Sequence, residues 1–420
     1  MNLGLAPTGV SASRPGLWLV LLLVLTVCLP CSAQTDEDEE QPWREDPFTR
    51  NEPEALEAAG YERLHPIAFG DRHGSRDVEE VLGDVEVIWI ETEHFRIGST
   101  LTSYKIRNEE KKRLGAELKE LSGILPRVKK NARTLDPWLR AHLFAMRAEK
   151  AYAAFQDMVG LQDQDFPTER NTVGERGYLG EGNYLGQPDK FLLLLFEKRS
   201  ECGRYAKRYT ELDQDTGIRH TFERQGNLLL GLVAERKHGK DEHAFKTETE
   251  LACELAFNLT HNLLNGFTYY TFSLPCWITE GLAHYNSREI FEEENNFTFV
   301  QELGQDLTVE WDWEPKVHGR VRHEYFPLAE DLLTRFDWGT LKFNDHVMLW
   351  SRVDFLMSLG PEKYGQLIRR LKQREHGSVV PTQEQLMETQ AAALEEIYGF
   401  DMAGFDKAWS KWVTKNYRAK

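Results

Sequence analysis

Five residues in the second half of the chain have the types and spacing for metal chemistry. They are Phe257, Asn258 and His261 within "FNLTH", then Glu280 and His284 within "WITEGLAH". Two imidazoles at i and i+4 of a helix stand one turn apart and reach a single metal ion, while a carboxylate at i+1 activates a bound water. In that register the segment runs Phe257-Asn258-Leu259-Thr260-His261, and only the last position keeps its donor. A benzyl group offers a metal no lone pair, and a carboxamide takes no proton near neutral pH, so ligation and water activation are lost separately. Residues 262–279, eighteen in all, separate His261 from Glu280, which therefore stands where a third ligand from a following helix would stand. His284 follows Glu280 by four residues on the same helical face, so His261, Glu280 and His284 form an alternative donor set without a base. Sliding the register to Cys253-Glu254-Leu255-Ala256-Phe257 restores a carboxylate but ends on Phe257. The plain structural alternative is a hydrogen-bonded core histidine at 261 and a carboxylate at 280 favoured by a helix N-terminus.

The stretches "LTHNLL" and "WITEGLAHY" resemble the gluzincin clan of zinc metallopeptidases, and within it the peptidase MA-like family of secreted bacterial proteins. There an H-E-x-x-H helix is followed by W-[LI]-x-E-G. Looser echoes in "ETEHFRI" and "YGFDMAGFDKAWSKWV" extend the likeness over most of residues 86–415. The resemblance implies an α+β fold of gluzincin type, with a mixed-sheet lobe followed by a mainly helical one. It carries the second ligating histidine onto His261 and the ligating glutamate onto Glu280. It carries the first ligating histidine onto Phe257 and the general base onto Asn258, where neither role can be filled. A positioned acid–base group is worth about 10²- to 10⁴-fold in rate. The resemblance therefore implies a pseudo-peptidase that needs no cofactor, zinc entering only if the set His261, Glu280 and His284 works. The oxyanion-stabilising group of such peptidases has four candidates, Tyr325, His318, His323 and His346.

Elements that must position these residues are legible as periodicity. Alternation through Val87, Trp89, Glu91, Glu93, Phe95 and Ile97 predicts a strand, and "EEKKRLGAELKELSGILPRV" and "DPWLRAHLFAMRAEKAYAAF" predict helices. "DKFLLLLFEKR", "GIRHTFER" and "GNLLLGLVAER" predict strands around a helix at "SECGRYAKRYT", and from about residue 242 the chain reads as successive helices. In the helix holding His261, Leu251, Leu255 and Leu259 supply the apolar stripe. The organisation expected is a mixed lobe at 86–240 and a helical lobe at 241–420.

Residues 1–33 read as an export signal, with Arg14 before an apolar run at 17–29 and a small-residue end at Cys31-Ser32-Ala33. Acylation of Cys28 or Cys31 is the lipoprotein alternative, and an uncleaved anchor would be the chain's only membrane contact. Residues 34–85, rich in Asp, Glu, Pro and Gly, are expected to be an acidic, poorly ordered leader. Loss of Arg14 with the signal takes the formal charge from -17 to -18, a balance that opposes nucleic acid or anionic membrane as partner. Cys202, Cys253 and Cys276 remain after the signal and are expected to be buried small hydrophobes, a Cys253–Cys276 bridge being the alternative. The expected product is a periplasmic, cell-envelope or extracellular protein whose former cleft holds a peptide or extended segment, or a structural envelope component.

Overall fold

A computed structural model describes residues 44–419 apart from 84, 238–243, 270–273, 299–306, 308–309 and 375–380. The export signal expected at residues 1–33, with Cys28 and Cys31, lies outside the described residues. Thirteen helices run in chain order among them: α1 Pro53–Ala58, α2 Ser75–Leu82, α3 Lys111–Ile124, α4 Pro137–Val159, α5 Arg199–Tyr209, α6 Glu248–Gly266, α7 Cys276–Ile290, α8 Trp313–Arg322, α9 Ala329–Leu333, α10 Phe343–Ser358, α11 Pro361–Leu371, α12 Gln383–Tyr398 and α13 Met402–Asn416.

Six strands form the main sheet: β1 Tyr61–Arg63, β2 Ile88–Thr92, β3 Phe95–Ser99, then, after the short pairs β4 Tyr104–Lys105 with β5 Thr134–Leu135 and β6 Val173–Gly174 with β7 Gly177–Tyr178, the strands β8 Phe191–Phe196, β9 Ile218–Phe222 and β10 Asn227–Val233. Their spatial order is β1-β2-β3-β8-β10-β9. The centre is parallel, β3 with β8 and β8 with β10, while β9 returns antiparallel to β10 and ends the sheet. A strand covered on both faces must be apolar on both, and the run "FLLLLF" meets that need. Phe191, Leu193 and Leu195 face the core shared with α4 and α6, whereas Leu192, Leu194 and Phe196 pack toward α2 and α5. The architecture is thus α+β, sheet first and helices after, as expected. The two expected lobes are not separate bodies: residues 42–420 form one unit, and one apolar cluster includes Leu193 of the sheet with Leu255 and Leu349 of the helices.

Two sequence expectations need correction. The leader is not unstructured over residues 44–83, which hold α1, β1 and α2, with Leu64, Ile67, Phe69, Val78 and Leu82 buried. Val78 and Leu82 lie at helical spacing on α2, but two anchors on so short a helix give little signal against an acidic, Pro- and Gly-rich background. The alternating run 87–97 is two strands, antiparallel to each other, with Glu93-His94 at the turn. Val87 and Trp89 face one side of the sheet while Phe95 and Ile97 face the other, so the alternation does not mark one continuous face. Cys202, Cys253 and Cys276 are free and buried, and no Cys253–Cys276 bridge forms.

The turn is fastened by an ion-paired histidine. His94 Nδ1 lies 2.6 Å from Glu149 of α4 and Nε2 lies 2.8 Å from Asp163, while the ring stacks on Tyr152 at 3.8 Å between centroids. Burial works to lower its pKa, but the bonds to Asp163 and Glu149 prevail and raise it to about 9. Because the folded value exceeds the unfolded value of about 6.5, this contribution is full below that pH and is lost as pH rises through 9. His94→Gln is therefore expected to cost on the order of 3 kcal/mol at pH 6 in urea unfolding, and to flatten the decline in stability that the unaltered protein shows between pH 7 and 10.

Candidate functional site

The carboxylate of Glu280 is the centre of the site, and helix ends decide where it lies. At the start of α6, the Thr247 side chain accepts from the Glu250 amide and Glu250 returns a bond to Thr247 N–H, closing a capping box. The next residue, Glu248, is fully buried and held by Arg140 Nε at 2.6 Å and Arg147 Nη1 at 3.1 Å, which pins this helix to α4. Beside Glu280, Gly281 lets α10 close on α7, since a Cβ there would sit 2.6 Å from Val353 Cγ2 and 3.0 Å from Leu349 O. His346, one turn before Leu349 on α10, is thereby brought to Glu280.

Four side chains converge, all fully or almost fully buried. Glu280 Oε1 lies 3.4 Å from His261 Nε2, while Oε2 lies 3.7 Å from His284 Nε2 and 3.5 Å from His346 Nδ1. His284 Nε2 and His346 Nδ1 are 3.0 Å apart. Aromatic rings enclose the group: Phe257 stands 5.2 Å from both His261 and His284, Phe297 stands 5.0 Å from His346, and Trp313 stands 5.1 Å from His284. Neither oxygen of Glu280 accepts a well-directed hydrogen bond from the described residues, and His261 Nδ1 is likewise buried without a partner.

The charge state follows from these surroundings. Burial and the nearby Arg219 push His261 down to about 4. Burial and His346 hold His284 well below its ordinary value. Burial alone would raise the Glu280 carboxyl, but the adjoining His261 and His346 hold it well below the usual range. At neutral pH the cluster is thus an anionic carboxylate among imidazoles, of which His261 and His284 are neutral. Arg219 approaches from the β9 side, donating to Thr298 Oγ1 at 2.9 Å, and that hydroxyl lies 3.3 Å from His261 Nε2.

Of the sequence candidates, His261, Glu280 and His284 do come together, but not as one ligand set. His261 meets one oxygen of Glu280, and His284 meets the other together with His346. Phe257 sits in the cluster as a wall. Asn258 does not face it: its Nδ2 donates to Glu254 O at 3.0 Å, back along its own helix. Glu254, the carboxylate of the slipped register, pairs with Lys246 at 2.6 Å. Zinc at the position the family resemblance implies does not fit these residues, because the benzyl ring of Phe257 takes the place of a ligand and only His261 and Glu280 offer donors.

Among the four oxyanion candidates only His346 joins the cluster. Tyr325 is 74 % exposed and lines a separate surface pocket with His323. Arg219, Thr298 and Phe297 were not foreseen, for they come from an edge strand and an irregular segment that carry no spacing signal. A cleft of about 500 Å³ opens beside the cluster, bordered by Ile218 and Arg219 of β9, by Glu254, Phe257 and Asn258 of α6, and by residues 296–298. No protein-family model and no curated protein matches the chain.

Phe257 is 1 % exposed, so its truncation leaves a cavity lined by imidazoles. Phe257→Ala is expected to lower unfolding free energy by about 3–5 kcal/mol, read as a reduced urea midpoint at unchanged slope.

Proposed function

We propose that this chain is an exported, catalytically silent protein of the gluzincin, peptidase MA-like type, whose former active-site cleft holds an extended peptide or protein segment. The observation that carries this reading is Phe257, an aromatic ring packed between His261 and His284 where a peptidase needs an imidazole. Asn258 adds a second loss, because its carboxamide is committed to Glu254 O and has no basicity to offer a water.

Binding needs none of that machinery. β9 ends the sheet, and among the described residues no strand pairs with its outer side. An extended segment can add there as a further strand, main chain to main chain, with alternate side chains entering the adjoining cleft. Arg219 Nη1 in that cleft is buried without a partner among the described residues, which favours a segment carrying a carboxylate. The acidic surface charge of the chain suits a soluble exported protein and opposes nucleic acid as ligand. The same Phe257 plug favours one second reading, a structural envelope component whose cleft is filled by its own side chains.

Hydrogen exchange with a panel of acidic peptides separates the two. Peptide binding is expected to slow exchange at residues 218–222, with no cleavage product after prolonged incubation. Asn258→Trp, which fills the cleft from a half-buried position, is expected to weaken binding by roughly tenfold, about 1.4 kcal/mol. Unchanged exchange with every peptide would leave the structural reading, and any released fragment that requires Glu280 would end the silent one.

A further inference from the structure

His284 Nε2, His346 Nδ1 and Glu280 Oε2 form a triangle with edges of 3.0, 3.5 and 3.7 Å. A triangle of that size contains a point about 2.0 Å from all three corners, which is the bond length of zinc to imidazole nitrogen and carboxylate oxygen. We propose that Glu280, His284 and His346 bind one divalent transition ion, zinc by donor type, in a structural site distinct from the one implied by the "FNLTH" register. The displaced site shares only Glu280 with that register and leaves His261 outside.

The chain geometry supplies the set without strain. Glu280 and His284 are i and i+4 on α7, so they project from one face one turn apart. His346 comes from α10, brought close by the missing side chain at Gly281. The donors are of the kind borderline ions favour, two imidazoles and one carboxylate. A second observation points independently to a cation. Glu280 is fully buried, and neither of its oxygens receives a hydrogen bond from the described residues. A buried, unpaired carboxylate is costly, and a directly bound cation removes that cost. Arg219, on the His261 side, acts on Glu280 only at longer range, its described hydrogen bond going to the neutral hydroxyl of Thr298. A hydrogen bond between the two imidazoles would account for their 3.0 Å approach but would leave the carboxylate without a directly bound cation.

The surroundings indicate a structural role. Phe257, Phe297 and Trp313 stand against the imidazoles, closing the approach a substrate carbonyl would need. The fourth position then falls to Glu280 Oε1, which makes the carboxylate bidentate and leaves no ligand position open to water, as in closed sites that tie elements together. Here the elements tied are α7 and α10.

The test counts metal in the full exported chain, purified without chelator and dialysed against zinc. About one equivalent is expected, retained in His261→Ala and reduced at least tenfold in His346→Ala and in His284→Ala. Chelator is expected to lower the melting temperature of the unaltered protein by on the order of 5 °C, and to leave His346→Ala unmoved. If those variants do not fold, cobalt(II) loaded into the unaltered protein is expected to give visible bands of four-coordinate nitrogen and oxygen ligation. Less than a tenth of an equivalent in the unaltered protein, metal lost from His261→Ala but kept in His346→Ala, or no cobalt spectrum would each overturn the proposal. Metal content is read without any peptide, so this result and the fate of the cleft reading are separable.

Discussion

One buried negative charge constrains the helical half of this protein. Glu280 is enclosed on every described side by imidazoles, aromatic rings and the backbone of α10, with no water-exposed surface to spread its charge. A carboxylate in such a place must be neutralised, ligated or balanced, because its desolvation cost is several kcal/mol. Each neighbour can be understood as an answer to that demand. His261 and His346 approach opposite oxygens, Arg219 contributes a cation at longer range, and Gly281 admits the helix that delivers His346.

The same demand shows in how residues 257 and 258 are accommodated. Phe257 packs an apolar ring edge-on or tilted against two imidazoles, so the volume is filled without adding a buried donor or acceptor. Asn258 turns to its own helix and the edge of the cleft, where a polar amide is tolerated.

Two further ion-paired anchors hold the frame in which Glu280 sits. Glu248 at the head of α6 is clamped by Arg140 and Arg147 of α4, and His94 at the β2–β3 turn is held between Glu149 and Asp163. The first joins the helical half to α4 and the second joins the sheet to the same helix, so the two halves meet through paired charges at α4 as well as through a common apolar core. Opposite charges matched at short range fix register across such a junction, whereas apolar contacts alone tolerate sliding.

Periodicity by itself determined the order of the main elements. Continuous apolar runs became buried central strands, Leu251, Leu255 and Leu259 became the inner stripe of α6, and the eighteen-residue interval placed His261 and Glu280 in contact. Those features depend on neighbours near in sequence, which a linear pattern records. The leader at 44–83 reads as disordered by composition, although Ser75, Val78 and Leu82 of its short helix α2 do lie at helical spacing, because eight residues with two apolar anchors are a weak signal in so acidic a stretch. Partnership at the site was likewise a tertiary decision. His346 is sixty-six positions beyond Glu280 and has no spacing relation to it, as the two numbers show. Only the close crossing of α7 and α10 selected it over His318, His323 and Tyr325. Which oxygen of a carboxylate faces which imidazole depends on helix rotation and packing distance, and neither quantity is written in a one-dimensional order of residues.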